Sequence, residues 1–358
     1  MLFRSDDTSG VGSITAGCLE DELLRTAETI RAEGEPRLET YDLMEDDEDV
    51  WGLGVGCNGI ITILLEPLTD RYRPAVSAVH SGRDVAVCTV LKDDGALEFG
   101  DRTFYLPDDD ALTAPDGEST GGWPADQLVA PAKTVIDRGR GVTVDLAVGD
   151  RSLSVFIDGL AAPRELVVFG TGHDVGPVVE LASLNDFRVT VVGFRGSIDP
   201  MERFPNADCG VSTAPVDIRE TLDLGPRTYA VVMTHNFIDD RLTIDELLKS
   251  AVPYVGLMGP RERFEEMQED FAAEGRQIRA SERERLYTPI GLDLGSGTPY
   301  GIAHSIVAEV LAIANETTPT HLADRAGPIH DRIDVDPDGR EGESEGEGEG
   351  PGEPTPSP

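Results

Sequence analysis

The sequence predicts an α/β protein whose C-terminal part is a doubly wound, parallel β-sheet. From about residue 165, short apolar runs alternate with helical patterns, which is typical of βαβ units. Residues 166–169 form the first apolar run, and Gly170 and Gly172 follow it directly. A second run, residues 188–192, comes after the length of one crossover helix. A strand, a glycine-rich turn and a helix in this order indicate a Rossmann-like fold.

The remaining elements of this part continue the alternation. We predict strands at 166–169, 188–192, 229–233 and 253–257, and helices at 174–184, 242–250, 261–274 and 300–315. Ligands of open α/β sheets bind beyond the carboxyl ends of the strands. The turns that follow the predicted strands are therefore the first places to look for a site.

The N-terminal part is predicted to be a smaller, mixed α+β domain. Residues 19–30 have the spacing of an amphipathic helix, and residues 60–65 and 85–91 are the clearest strands. Residues 107–140 are rich in Asp, Gly and Pro, which indicates irregular structure. Alternating apolar residues on both sides of residues 149–150 predict a hairpin.

These patterns divide the chain into four segments. We expect an N-terminal domain at 1–105, an irregular segment with a hairpin and a linker at 106–162, the Rossmann-like domain at 163–318 and an acidic tail at 333–358. The tail is expected to be disordered, because its Glu, Gly, Ser and Pro residues supply no core.

Acidic residues dominate the charge balance along the whole chain. The formal net charge is −38 at pH 7, and only three of the 30 basic residues are lysines. The tail accounts for little of this excess, so the acidic residues are spread over the folded surface. A lysine-poor acidic surface stays hydrated in high salt, which predicts a halophilic, archaeal source. The lack of a basic stripe argues against nucleic-acid binding.

Cysteine spacing and hydropathy indicate the cellular compartment. The four cysteines, Cys18, Cys57, Cys88 and Cys209, form no C-x-x-C pair, so neither a structural zinc site nor a disulfide framework is indicated. The first residues lack the apolar stretch of a signal peptide, and no apolar run is long enough to span a bilayer. We expect a soluble, cytoplasmic protein.

The glycine-rich turn predicts a phosphate-bearing ligand more clearly than it predicts NAD. Gly170 and Gly172 leave backbone N–H groups and a helix N-terminus facing a ligand. However, Val175 occupies the third glycine position of the dinucleotide fingerprint, and Gly193 occupies the position of the ribose-binding acid. Asp174 would compete with a phosphate for the helix dipole, or simply stabilise the helix.

Four further residues are candidate ligand contacts. His173, on the first turn of the helix, would either reach the ligand or cap and orient the helix. His235 follows the predicted strand 229–233, at the edge where ligands bind. Arg195, beyond the vacant acidic position, and Arg261, at a helix start, would each bind a phosphate or form a surface salt bridge.

Several motifs in this chain resemble, in the same order, those of the XdhC/CoxI family. Residues 12–20 are similar to the family signature G-S-I-S-G-G-C-x-E, and residues 52–59 with 65–67 to its second glycine–cysteine motif. The resemblance continues through the glycine-rich turn with its histidine and through the segments 232–236, 254–261, 289–299 and 305–309. Ordered motifs are more specific than any single one.

The resemblance implies a maturation factor for molybdenum hydroxylases of the xanthine or carbon monoxide dehydrogenase type. Such proteins bind the molybdenum–pterin cofactor, hold it while a terminal sulfur is installed and insert it into the apo-enzyme. They are accessory proteins and not redox enzymes themselves. The implied partners are a cysteine desulfurase and the large subunit of the apo-hydroxylase, with a homodimer as one open assembly.

On this interpretation the glycines of two turns, Gly170 with Gly172 and Gly256 with Gly259, would hold the pterin phosphate. One of two cysteines in glycine-rich turns, Cys18 or Cys57, would face the molybdenum or the incoming sulfur, since such turns lower the pKa of a thiol. The alternative for both cysteines is a small, buried residue packed at a tight turn.

Two other interpretations stay open at the level of sequence. A nicotinamide-dependent oxidoreductase would use the Rossmann-like domain, with Arg195 contacting the 2′-phosphate of NADP. A degenerate paralogue would keep the fold and lack a site. The family usually begins with a strand and a loop before the segment that matches residues 1–3, so we expect an N-terminally incomplete first domain.

Overall fold

The computed structural model describes residues 3–5, 10–12, 19–42, 60–115, 120–139, 141–194, 196 and 199–326. Cys18, Cys57, Arg195 and the predicted acidic tail lie outside these ranges. The chain divides into two compact units, with the boundary between Ala162 and Pro163. Within the described ranges no helix has the length and apolar character needed to cross a membrane.

The first unit contains nine strands and three α-helices among its described residues. They are β1 (Phe3–Ser5), β2 (Gly10–Gly12), α1 (Glu20–Glu33), β3 (Arg37–Asp42), β4 (Ile60–Leu65), α2 (Arg73–His80), β5 (Val85–Asp93), β6 (Arg102–Leu106), β7 (Ala111–Thr113), α3 (Ala125–Arg138), β8 (Val142–Val148) and β9 (Arg151–Leu160). The larger sheet is antiparallel, with the order β7-β6-β5-β9-β8. Two separate antiparallel pairs, β1 with β2 and β3 with β4, complete the unit.

The antiparallel sheet of five strands is covered on both faces. Alternate residues of β5 point to opposite sides, as the pleat requires. Ala86 and Cys88 pack with α3, whereas Val85 and Val87 pack with α2. Burial between sheet and helix raises the pKa of the Cys88 thiol to about 12, so this cysteine is an apolar core residue.

Helix α3 corrects the expectation of irregular structure at 107–140. Leu128, Ala132 and Val135 are buried at spacings of four and three residues, which is helical periodicity. The buried Pro131 within the helix hides this signal, because proline ordinarily interrupts helices. Since β8 and β9 belong to the same sheet as β5, the first unit extends beyond residue 105 to Ala162.

An ion pair joins the residue after β4 to β6 in the first unit. Glu66, directly after β4, pairs with the almost fully buried Arg102 and accepts a hydrogen bond from the Tyr72 hydroxyl. The guanidinium lies 4.5 Å from the centre of the Tyr72 ring. Burial raises the pKa of Tyr72 to about 12 and lowers the pKa of Arg102 to about 10. These three residues join β4, β6 and the start of α2.

The second unit is built from six strands and seven α-helices among its described residues. They are β10 (Glu165–Phe169), α4 (Val175–Leu184), β11 (Arg188–Gly193), α5 (Pro200–Arg203), β12 (Cys209–Ser212), α6 (Ile218–Thr221), β13 (Thr228–Val232), α7 (Phe237–Leu248), β14 (Tyr254–Leu257), α8 (Arg261–Ala273), α9 (Ala280–Arg283), β15 (Leu286–Tyr287) and α10 (Pro299–Ala314). All strand pairs are parallel, in the order β12-β11-β10-β13-β14-β15.

Helices cover both faces of this parallel sheet, and the predicted Rossmann-like, doubly wound fold is confirmed. Helices α4 and α10 pack with one face, and α7 and α8 pack with the other. Strands buried on both faces have continuous apolar sequences, which explains why β10, β11, β13 and β14 are visible in the sequence. The short edge strands β12 and β15 carry no such signal, and the sequence does not predict them.

Helix α7 begins five residues before its predicted start at 242. The Asn236 side chain caps it by accepting hydrogen bonds of 3.0 Å from the backbone N–H groups of Ile238 and Asp239. An asparagine cap satisfies the donors that a helix N-terminus leaves unpaired. The capped turn fixes the backbone immediately after β13, at the residues that include His235.

Glu282 is expected to link the stability of the second unit to pH. Burial by itself raises the pKa of Glu282, but hydrogen bonds from Arg276 and Arg279 outweigh it and hold the pKa at about 2, below its ordinary value of 4.5. The resulting stabilisation is present above the unfolded-state pKa and is lost as pH falls through the folded-state value.

We therefore predict that Glu282→Gln reduces the dependence of the unfolding free energy on pH between 4.5 and about 2. Chemical denaturation of both proteins across this interval measures the difference. The control is Glu284→Gln, which removes one charge from an exposed side chain two residues further along the chain. Identical profiles for wild type and Glu282→Gln would contradict the assignment.

Candidate functional site

Two turns meet where the strand order of the parallel sheet reverses. The chain runs from β10 outward to β11 and β12, then returns to β13 on the other side of β10. The turns after β10 and β13 therefore leave the same edge side by side. Met233 N donates to Phe169 O at 2.9 Å, and Gly170 N donates to Val192 O at 2.9 Å. Such a switch point is where open α/β sheets bind ligands.

Gly170 is required by the close approach of the two turns. Its φ is +140°, and a Cβ at this position would lie 2.5 Å from the carbonyl oxygen of Met233. No L side chain fits this combination of conformation and contact. The prediction that a glycine is needed here has a structural reason, namely backbone packing, that is independent of any ligand.

Asp174 and His235 join the two turns through their side chains. His235 Nε2 lies 2.7 Å from Asp174 Oδ2. A Cβ on Gly172 would collide with Asp174 Oδ1 and lie 3.6 Å from His235 Cδ2. The carboxylate thus occupies the space above Gly172. The Asp174 side chain makes no capping hydrogen bond to α4.

His235 holds an unusual backbone conformation at this position. Its φ is +60°, one of only four positive values among the described residues other than glycine. The neighbours fix it: Thr234 Oγ1 accepts a hydrogen bond of 3.1 Å from Asn236 N, and Asn236 caps α7. The imidazole itself is 58% exposed. Backbone strain combined with an exposed, ionisable side chain is characteristic of functional positions.

The buried carboxylate of Asp240 holds this turn through hydrogen bonds to Thr234. It accepts hydrogen bonds from the backbone N–H and the hydroxyl of Thr234, at 3.2 and 2.5 Å. It also accepts one of 2.5 Å from Arg263, on α8. The Arg263 guanidinium lies 5.6 Å from the centre of the Phe237 ring. Sequence reasoning missed Asp240 because one acid among several on a helix carries no distinguishing pattern.

The turn between β14 and α8 contributes differently from the prediction. Gly256 is buried inside β14, where a Cβ would collide with Ile290 and lie 2.6 Å from the Tyr254 hydroxyl oxygen. It serves packing and does not line the site edge. Gly259, with a φ of +133°, does lie in the turn. Arg261 follows as the exposed first residue of α8 and forms no ion pair with the part of the chain that the structure describes.

A second buried carboxylate fixes the loop after β15. Glu309, on α10, accepts hydrogen bonds from the Tyr254 hydroxyl at 2.6 Å and from Gly291 N at 2.9 Å. Burial, followed by the charge of Glu309, raises the pKa of Tyr254 well above its usual value. Asp293, in the same loop, accepts a hydrogen bond from Gly295 N, as expected of an aspartate in a turn.

The other predicted site residues that the structure describes lie in or near the turn after β10. The His173 side chain is exposed, but it lies in the turn before α4, which begins at Val175, and not on the first turn of the helix as predicted. Val175, in the third glycine position, is fully buried in the core. Gly193 ends β11, where a Cβ would lie 3.2 Å from Thr171 Cγ2, so the position of the ribose-binding acid faces another side chain. Cys18, Cys57 and Arg195 lie outside the described residues, and within those residues no cluster of metal-binding side chains occurs.

Comparison with known protein families gives two matches, one in each unit of the chain. The family described as "XdhC and CoxI family" matches residues 1–42, and the family described as "XdhC Rossmann domain" matches residues 166–310. A Bacillus subtilis protein named as a probable xanthine dehydrogenase subunit is 28% identical over 315 residues, which cover 87% of this chain and 86% of that protein. The uncharacterized protein YqeB of Escherichia coli is 28% identical over 166 residues, covering 46% of this chain and 30% of that one.

The structural comparison agrees with the sequence comparison. The crystal structure of a xanthine dehydrogenase from Bacillus halodurans has a TM-score of 0.65 and 28% identity, and covers 90% of this chain and 87% of that one. The likeness therefore extends over both units, and the parallel sheet with its two facing turns lies within the matched Rossmann domain. This chain belongs to the XdhC/CoxI family.

Proposed function

We propose that this chain is an accessory protein that binds the molybdenum cofactor, supports its sulfuration and delivers it to a hydroxylase of the xanthine dehydrogenase type. The single observation that carries the proposal is the meeting of the Asp174 and His235 side chains at the switch point of the sheet. The likeness to one protein named as a xanthine dehydrogenase and to another named as a subunit of such an enzyme supports the choice of hydroxylase. The proposed partners are a cysteine desulfurase and the large subunit of the hydroxylase.

The residues at the sheet edge fit the ring system of the cofactor more readily than its phosphate. Asp174 and His235 supply polar groups that can accept and exchange hydrogen bonds with a heterocycle. The exposed guanidinium of Arg261 and the turn at Gly259 are the proposed phosphate contacts. When bound, the cofactor supplies the molybdenum centre, and this chain's residues bind and orient it. Cys18 or Cys57 remains the proposed contact of the metal or sulfur.

The residues at the turns after β10 and β13 support a second candidate function, an oxidoreductase that uses NAD or NADP, less well. The strand order is the one that dinucleotide-binding folds use. However, the position of the ribose-binding acid is Gly193, packed against Thr171, and a carboxylate lies above Gly172 where a pyrophosphate would approach. A dinucleotide would therefore lose two of the interactions that ordinarily hold it.

The direct test is retention of the molybdenum cofactor by the protein. Cofactor released from a donor enzyme is mixed with the chain, and molybdenum and pterin are measured in the protein fraction after gel filtration. We propose a cytoplasmic, halophilic origin from the acidic composition, so the assay is performed in concentrated potassium chloride. Co-elution of both components supports the proposal, and elution of cofactor free of protein would refute it.

His235→Gly is expected to separate binding from stability. Glycine accepts the φ of +60° without strain, so the unfolding free energy should stay the same or rise by up to about 1 kcal/mol. Cofactor retention should fall about tenfold or more, the ratio that corresponds to loss of one charge-assisted hydrogen bond. His304→Ala, which removes an exposed histidine from α10, is the matched control and should retain the cofactor. Equal retention by all three proteins would exclude His235 from the site.

A further inference from the structure

We propose that Asp174 closes the glycine-rich turn to phosphate groups and makes it selective for a heterocycle that presents adjacent amino and ring N–H donors. This inference rests on the proposed function and specifies which part of the ligand the switch point receives. It also reverses the expectation that Gly170 and Gly172 form a phosphate cradle.

The first argument is steric. The second glycine of a dinucleotide turn lacks a side chain so that a pyrophosphate can approach the backbone. In this chain the space above Gly172 is filled by Asp174 Oδ1, with His235 Cδ2 nearby. The carboxylate thus takes up the open side of Gly172 that the approach of a pyrophosphate requires. A phosphate can enter only if the carboxylate leaves.

The second argument is electrostatic. A carboxylate close to the N-terminus of α4 already interacts with the positive end of the helix dipole. A phosphate at the same place would be repelled by Asp174 and would gain less from the helix. The only positively chargeable side chain in contact with Asp174 among the described residues is that of His235. The exposed His173 lies beside it along the chain.

The third argument concerns what a carboxylate at this place can recognise. Ionised Asp174 only accepts hydrogen bonds, and each of its oxygens has two lone pairs. The oxygen that lies 2.7 Å from His235 Nε2 therefore keeps a second acceptor position. A planar group with two parallel N–H donors pairs with a carboxylate in a bidentate manner. The 2-amino-4-oxopyrimidine edge of a pterin has this arrangement of an amino group beside a ring N–H. The selectivity therefore favours the ring of the proposed cofactor over its phosphate.

Two small probes, 6-hydroxymethylpterin and inorganic pyrophosphate, test the inference with the full chain. Binding of the pterin is followed by its fluorescence, and binding of pyrophosphate by calorimetry. Asp174→Asn keeps the size of the side chain and removes its charge. We expect the pterin affinity to fall and the pyrophosphate affinity to rise, so that their ratio changes about tenfold or more.

The matched control is Glu180→Gln, which removes one charge from the same helix at a side chain that contacts Tyr300. It should leave the ratio of the two affinities unchanged. Asp174→Gly, which empties the space above Gly172, should raise the pyrophosphate affinity further, and thermal unfolding verifies that each variant is folded. An unchanged ratio in Asp174→Asn, or wild-type protein that prefers pyrophosphate, would overturn the inference.

The outcomes are distinguishable from those of the cofactor assay. If the chain fails to retain the molybdenum cofactor but the ratio still changes in Asp174→Asn, the selectivity of the turn stands and the proposed function falls. If the cofactor is retained and the ratio does not change, the proposed function stands and Asp174 is not the selective residue.

Discussion

Replacement of Gly170 with alanine will destabilise the second unit by about 3 kcal/mol or more. The added Cβ would lie 2.5 Å from the carbonyl oxygen of Met233 and 2.9 Å from its carbonyl carbon. Both are backbone atoms of the neighbouring turn, so no rotamer change relieves the contact. The φ of +140° adds strain of its own. Relief would require β10 and β13 to separate at the site edge.

Chemical denaturation in high salt, followed by circular dichroism, measures this effect. The control is Gly176→Ala in the first turn of α4, where a Cβ meets no atom within 4 Å. Because alanine favours a helix over glycine, the control should be as stable as wild type or more stable by up to about 1 kcal/mol. If Gly170→Ala were as stable as Gly176→Ala, the described approach of the two turns would be incorrect.

Asp240→Ala is expected to cost about 3–5 kcal/mol and to disturb the site at the same time. The Asp240 side chain is 1% exposed and carries the hydrogen bonds of Thr234 and Arg263. Its removal leaves the Arg263 charge, with a side chain only 22% exposed, without its carboxylate. It also frees the turn that holds His235. We expect a lower denaturation midpoint together with weaker cofactor retention.

A double variant separates the charge effect from the packing effect. Arg263→Leu in the Asp240→Ala background removes the unpaired charge, so the double variant should recover part of the lost stability. Cofactor retention should not recover, because Thr234 still lacks its acceptor. Glu265→Gln, an exposed acid on α8, is the control and should match wild type in both measurements. Strictly additive losses in the double variant would show that Asp240 and Arg263 do not interact.

The sequence indicates where the turns after β10 and β13 lie because the relevant signals are local. An apolar run buried on both faces followed by glycines is visible without knowledge of the fold, and so is a histidine directly after such a run. His235 was predicted on this basis, and the structure places it against the turn that contains Gly170 and Gly172. The contact with Asp174 was not predicted. It joins residues 61 positions apart, through a strand order that periodicity does not encode.

Several expectations failed for reasons of tertiary context. The family resemblance implies that Gly256 holds a phosphate, yet the space at this position is taken by Ile290, from the loop after β15, and by the Tyr254 hydroxyl. The sequence predicts irregular structure at 107–140, yet α3 forms there because Leu128 and Val135 pack against the antiparallel sheet of the first unit. In both cases a contact with a residue distant in the chain decides the outcome, and in α3 this packing overrides the local propensity.

The sequence by itself determined the family resemblance, the doubly wound parallel sheet and the positions of the turns after its central strands. These follow from the order of local motifs and from the burial of whole strands, which gives continuous apolar runs in the sequence. Only the tertiary structure decided that the carboxylate of Asp174 fills the glycine-rich turn and that Asp240 and Glu309 anchor the neighbouring loops. A buried acid acts through the donors that the fold brings to it, and those donors come from separate elements.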